Sequence, residues 1–122
     1  MVNTSIKGQK KEKVCADELL AETHGRLLFR SQRMRFGRID FGPFDVVVAA
    51  LDKEWRISCT HAGHGHDKER AEAIAEYMNA CLGPEMRLYI SCQLWVWYPQ
   101  RWRGRGKAKH FEKSHWDKTV YS

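Results

Sequence analysis

Between Ser58 and Glu69 the chain reads SCTHAGHGHDKE, which gathers Cys59, His61, His64, His66 and Asp67 within nine residues. Imidazole, thiolate and carboxylate are the donors zinc takes, three or four of them converging in a near-tetrahedral array, with a water completing a catalytic site. His61, His64, His66 and Asp67 are therefore the candidate metal ligands, zinc is the candidate cofactor, and a small metal-dependent nuclease or hydrolase is the activity they would serve. The stretch has a second reading. Ala62, Gly63 and Gly65 suit a flexible loop between a strand and a helix, with Asp67 capping the helix. The spacing favours the loop.

Other catalytic constellations are missing. THAGHGHD is similar to the T-H-x-H-x-D-H signature of the metallo-beta-lactamase family, but it differs in spacing, lacks the final histidine and sits in a chain too short for that fold. Near the end, KHFEKSHWD supplies His110, Glu112, His115 and Asp117 without the H-E-x-x-H spacing of a metalloprotease helix. GRGK has glycines but not the spacing of a phosphate-binding loop. Asp40, Asp45 and Asp52 read as exposed turn residues. The chain is expected to bind rather than catalyse.

A stronger pattern joins aromatic to basic residues. Trp95, Trp97, Tyr98 and Trp102 run into Arg101, Arg103 and Arg105, followed by Lys107 and Lys109. Cations neutralise phosphates and release counterions, while aromatic faces stack on unpaired bases, a combination suited to single strands or RNA. Trp, Tyr and Arg also dominate protein interfaces, and Trp95 and Trp97 have the alternative of a core role. Arg33, Arg35 and Arg38, with Arg26 and Arg30, form a second basic cluster.

Charge is unevenly distributed. From Pro99 onward seven basic residues face only Glu112 and Asp117, a balance of +5, whereas the preceding 98 residues contribute +1 of the net +6. Such asymmetry points to an anionic partner, nucleic acid or an acidic protein surface. No apolar run reaches the roughly 20 residues of a membrane-spanning helix, and MVNTSIKGQKKEKV has no apolar centre to act as a signal peptide, so a cytoplasmic protein without a membrane partner is expected. Cys15, Cys59, Cys81 and Cys92 are widely spaced and read as reduced, mostly buried thiols.

The elements that position these residues follow from periodicity. With 122 residues and 43% hydrophobic content, one domain is expected over residues 14–98, preceded by a flexible basic arm, 1–13, and followed by a basic aromatic tail, 99–122. ADELLAETHG predicts a short helix closed by Gly25 in the left-handed conformation. RLLFRSQRMRFGRIDF predicts two strands joined near Ser31 and Gln32, with a bulge at Gly37. FDVVVAAL predicts an inner strand, hairpinned to EWRISC, where Trp55, Ile57 and Cys59 alternate with polar residues. Ala71, Ile74, Ala75, Met78 and Leu82 recur at helical spacing up to Gly83-Pro84. Met86 to Tyr98 reads as a single strand that bends, projects or pairs with another chain. The expected class is α+β: an antiparallel sheet of four to five strands, one long helix across one face, and a short N-terminal helix.

WRISCTHAGHGHDKERAEAIAEYMNACLG, residues 55–83, resembles a pattern in small accessory proteins of bacteriophages and mobile elements, with a helix of the form A-x-x-I-A-x-x-M-N-A-C. The resemblance implies core roles for Ile74, Ala75 and Met78. It also implies a protein that binds and blocks host machinery, CRISPR and restriction complexes included, as an anti-CRISPR inhibitor does. Many such inhibitors are acidic mimics of nucleic acid; a basic chain points instead to contact with nucleic acid or with the acidic parts of a host protein or ribonucleoprotein complex.

Overall fold

The run FDVVVAAL is apolar at successive positions, which a strand accommodates where both faces of its sheet are covered. The computed structural model, which describes residues 4–30, 32–34, 37–39, 41–63 and 66–121, has that arrangement. Nine strands are described: β1 (Arg26–Arg30), β2 (Gln32–Met34), β3 (Gly37–Ile39), β4 (Val46–Ala49), β5 (Glu54–His61), β6 (Ile90–Tyr98), β7 (Arg101–Arg103), β8 (His110–Glu112) and β9 (His115–Tyr121). The two α-helices are α1 (Thr4–Thr23) and α2 (Asp67–Cys81). Five strands form one sheet in the order β1-β4-β5-β6-β9, and β2–β3 and β7–β8 form separate two-stranded ribbons.

The α+β class and the β4–β5 hairpin agree with expectation. The all-antiparallel sheet does not. β5 and β6 are parallel, with Glu54 beside Ile90 and His61 beside Trp97. The cause is a matching of lengths. α2 has 15 residues, about 22 Å at ~1.5 Å each, and β5 has eight, about 26 Å at ~3.3 Å each, so the helix returns the chain to the end where β5 began.

A helix lies on each face, instead of one helix on one face. Ile74 and Met78 of α2, with Leu82 just after it, pack on Phe44, Val47, Ile90, Cys92, Leu94 and Val96. Cys15, Ala16 and Leu19 of α1 pack on Val46, Val48, Ile57, Cys59 and Trp95. Ala75, which the phage-protein pattern assigns to the core, is exposed, and Tyr77 packs its ring edge-on to Phe44 at 5.2 Å.

α1 is longer than the short helix expected, since it takes in residues 4–13 of the segment assigned to a flexible arm. Its buried stripe, Glu12, Cys15, Ala16 and Leu19, has the spacing of one helix face, but it begins at a glutamate amid lysines, where composition suggests solvent. The helix closes one residue before Gly25: His24 takes the left-handed conformation, φ 54°, and its N–H bonds the Leu20 carbonyl at 2.9 Å. Gly25 is needed for proximity, because a Cβ there would lie 2.7 Å from the Ala49 carbonyl oxygen.

α2 starts at Asp67, with His66 in the cap position and no side-chain cap bond, so Asp67 is the first helical residue rather than the cap. Asp67 and Glu69 in the first turn still oppose the helix dipole favourably. At the other end Arg87 donates to the Leu82 and Met78 carbonyls at 3.0 and 3.1 Å. Before β6 the expected strand is a 3-10 turn at Met86–Leu88. Of the connection expected near Ser31 and Gln32, Ser31 lies outside the described residues, whereas Gln32 begins β2, which pairs with β3 instead of β1. No helix among the described residues is long and apolar enough to cross a membrane.

Candidate nucleic-acid interface

The residues after Tyr98 do not form a tail. β9 pairs antiparallel with β6 along Cys92–Tyr98, with Tyr98 opposite His115, and becomes an edge strand of the main sheet. Three residues further along each strand Arg101 is opposite Glu112, followed by Trp102 opposite Phe111 and Arg103 opposite His110. The register is the same on both sides of the Pro99-Gln100 interruption. β6 to β9 is therefore one long hairpin whose lower half is inside the sheet and whose upper half, β7–β8, extends beyond it.

That projection concentrates charge. Arg101, Arg103, Arg105, Lys107, Lys109 and Lys113 lie on it against one acid, Glu112. Its tip turns through Gly104 and Gly106 at φ 88° and 57°, a region open to glycine without strain, and through a 3-10 turn at Gly106–Ala108. At Gly104 a Cβ would meet the Ala108 carbonyl oxygen at 2.5 Å, so the tip needs glycine for space as well.

Trp102 and Phe111 form a cross-strand pair with ring centroids 5.4 Å apart in an edge-to-face arrangement. Both are exposed, Trp102 by 62%. The Lys109 ammonium lies 5.3 Å from the Trp102 ring centroid, and the Arg101 guanidinium lies 5.9 Å from that of Tyr98. Tyr98 stacks on His115 at 5.3 Å and 8° between planes, bracing the base of the ribbon. An indole held by its cross-strand partner and bordered by cations can stack on a base while the cations take phosphates.

The other tryptophans have different work. Trp95 is 1% exposed under α1 and donates its indole N–H to Gln93 at 2.9 Å, so it belongs to the core and not to the binding surface expected for it. Trp97 is half-buried, with the Lys11 ammonium 3.8 Å above its ring and Trp116 edge-on at 5.0 Å. Arg33 and Arg38 are opposite each other in the β2–β3 register, whereas Arg35 lies outside the described residues. β1 ends at Arg30 beside Val46, which is beside Ile57, so the chain enters β2 toward the end of the sheet at which β5 and β6 finish.

The histidine stretch is split. His61 ends β5, with Nδ1 3.0 Å from the Ala62 carbonyl oxygen; His66 precedes α2, with Nδ1 3.7 Å from a Glu69 carboxylate oxygen; Asp67 is exposed; and His64 lies outside the described residues. Among the described residues no three His, Cys, Asp or Glu side chains converge on a point that could hold a metal ion. Two different elements carry them. His61 is fixed at a strand end, and the helix start carries His66 and Asp67 away.

Two features were not legible beforehand. Asp45, read as a turn residue, is 4% exposed; its carboxylate accepts from the Cys59 N–H at 2.8 Å and from Arg70 at 2.9 Å, while Arg70 also donates to Ser58 at 2.8 Å. The network borders a cleft lined by Gly42, Pro43, His66, Glu69 and Ala73. Phe111 is the other, although a sequence signal existed: Trp102 and Phe111 flank the two glycines as hairpin partners would.

No protein-family model, curated protein or solved structure matches the chain.

Proposed function

We propose that this is a non-enzymatic binding protein that engages single-stranded or unpaired nucleic acid through the β7–β8 ribbon. The observation that carries the reading is the 62% exposure of Trp102, held by Phe111, with the Lys109 ammonium 5.3 Å from its ring, on a ribbon that also carries Arg101, Arg105 and Lys107. A large exposed aromatic pair is costly to leave in water without a use. Beside a run of cations it matches what a polyanion with stackable bases presents. β2–β3, with Arg33 and Arg38, supplies a second basic contact.

In the setting implied by the resemblance to phage accessory proteins, the nucleic acid belongs to a host CRISPR or restriction-type complex, which this protein inhibits or modulates. Fluorescence anisotropy with labelled single-stranded DNA, RNA and duplex DNA across a salt series tests the reading. Binding that is steeply salt-dependent and abolished by Arg101→Glu with Arg105→Glu supports it. Retained affinity in that double variant, or no binding to any probe at low salt, rejects it.

A further inference from the structure

Composition treats the lysines near the N-terminus and the cations after Pro99 as two separate basic regions, about ninety residues apart. The fold brings them to one end of the sheet. The Lys11 ammonium sits 3.8 Å from the ring centroid of Trp97, the penultimate residue of β6, and the projecting ribbon leaves just beyond it at Tyr98. Further along α1, Cys15, Ala16 and Leu19 share a core cluster with Ile57, Cys59 and Trp95, and beyond the helix Gly25 lies against Val48 and Ala49. α1 therefore runs antiparallel to β5 and β6. Its first residues point the way the ribbon points.

The lengths give both elements reach. From Lys11 back to Thr4 is seven residues, about 10 Å of helix at ~1.5 Å per residue. From Trp97 to Gly104 is seven residues, about 23 Å of extended chain at ~3.3 Å per residue. Helix and ribbon overhang the same edge of the fold. The overhanging part of α1 carries Lys7 and Lys10, followed by Lys11 and the exposed Lys13, and its one acid, Glu12, is turned inward at 5% exposure.

We infer that the N-terminal half of α1 is the second arm of the nucleic-acid site: the sugar-phosphate backbone of a single strand, with a base on Trp102, continues across the Trp97 end of the sheet onto Lys7, Lys10 and Lys13. The inference rests on the ribbon reading above and extends it. Charge complementarity selects the occupant. An excess of cations on both overhangs, against Glu112 on the ribbon and the inward-turned Glu12 on the helix, suits a polyanion that spans them, and the half-buried Lys11 and Trp97 form the floor between.

The test is the salt dependence of binding to a fluorescein-labelled single-stranded oligonucleotide of about 20 bases, comparing the natural chain, Lys7→Gln/Lys10→Gln/Lys13→Gln, and Arg101→Glu/Arg105→Glu. Each phosphate contact on a single strand contributes about 0.7 to the slope of log K against log salt, so losing three lowers it by about 2. Glutamine keeps helix propensity, and an unchanged circular dichroism spectrum and melting temperature verify the fold. A slope reduced by about 2 with weaker binding for every base sequence is the expected result. If the lysine variant binds with unchanged slope while the arginine variant has lost binding, the second arm is overturned and the ribbon reading stands. If the natural chain does not bind, both are overturned.

Discussion

The Lys118 ammonium of β9 lies 4.1 Å from the centroid of the Trp95 ring and 3.0 Å from the carboxylates of both Glu18 and Glu22 on α1. One side chain near the C-terminus thus covers the largest buried ring and ties down the N-terminal helix. The segment after Tyr98 completes the core as well as projecting from it.

Shortening the chain at Tyr98 is therefore expected to unfold it, since β6 would lose its partner and Trp95 its cover. Joining Tyr98 to His115 through Asn-Gly is expected to preserve the fold, because these residues already face each other in the ladder and a two-residue turn closes such a pair. Thermal melts distinguish the two. A cooperative transition in the closed variant, with nucleic-acid binding gone, is the predicted outcome.

Trp95→Ala and Trp102→Ala should separate stability from binding. The first empties a fully buried site and is expected to cost about 3–5 kcal/mol in urea unfolding. The second removes an exposed ring and should change stability by less than about 0.5 kcal/mol. Its effect on single-strand affinity should be about 1–3 kcal/mol, the range for one base stacked on an aromatic side chain.

How these tryptophans differ could not be read from their spacing. Alternation in ISCQLWVWY placed Trp95 opposite Leu94 and Val96 correctly, but a second apolar face is ambiguous until its cover is known, and no local pattern shows that Cys15, Ala16 and Leu19 of α1 cross the sheet to cover Trp95. The β4–β5 hairpin and α2 were legible because their patterns repeat over short range. The direction of β6 was not, since the length of α2 and its route back across the sheet set it. The ribbon was obscured for a similar reason: Gly104 and Gly106 resemble low complexity until Trp102 is seen opposite Phe111.

Asp45→Ala is expected to destabilise the protein toward the lower end of the ~3–5 kcal/mol seen when one partner of a buried ion pair is removed, because Arg70 keeps a third of its side chain in water. The Cys59 N–H loses its acceptor as well. Asp45→Asn retains an acceptor and should cost less. Denaturant midpoints of the two variants give the order.

Alkaline pH should weaken the fold. Burial pushes the Cys59 thiol well above its ordinary range, reinforced by Cys15, Asp45 and Glu12. Partial burial lowers the pKa of Lys118, but Glu22 and Glu18 outweigh it and the net shift is upward. Both groups have folded pKa values above their unfolded ones. The Cys59 contribution is complete below about pH 8.5 and declines above it; that of Lys118 is complete below about pH 10.4 and is lost as pH rises through its folded value. Unfolding free energy measured from pH 7 to 11 should fall, less steeply for Cys59→Ala in the first part of the range. Under native conditions the exposed Cys81 should alkylate with iodoacetamide well before Cys15, Cys59 and Cys92.

The shared direction of α1 and β9, both antiparallel to β6, also decides where a handle can be attached. Tyr121 finishes beside Cys92, near the start of β6, whereas Thr4 begins at the far end, past Trp97. A fluorophore, affinity tag or immobilising linker joined after Tyr121 leaves the fold away from the cationic overhang. The same addition before Thr4 would crowd the ribbon, and a tagged preparation of that kind would under-report binding for reasons of geometry alone.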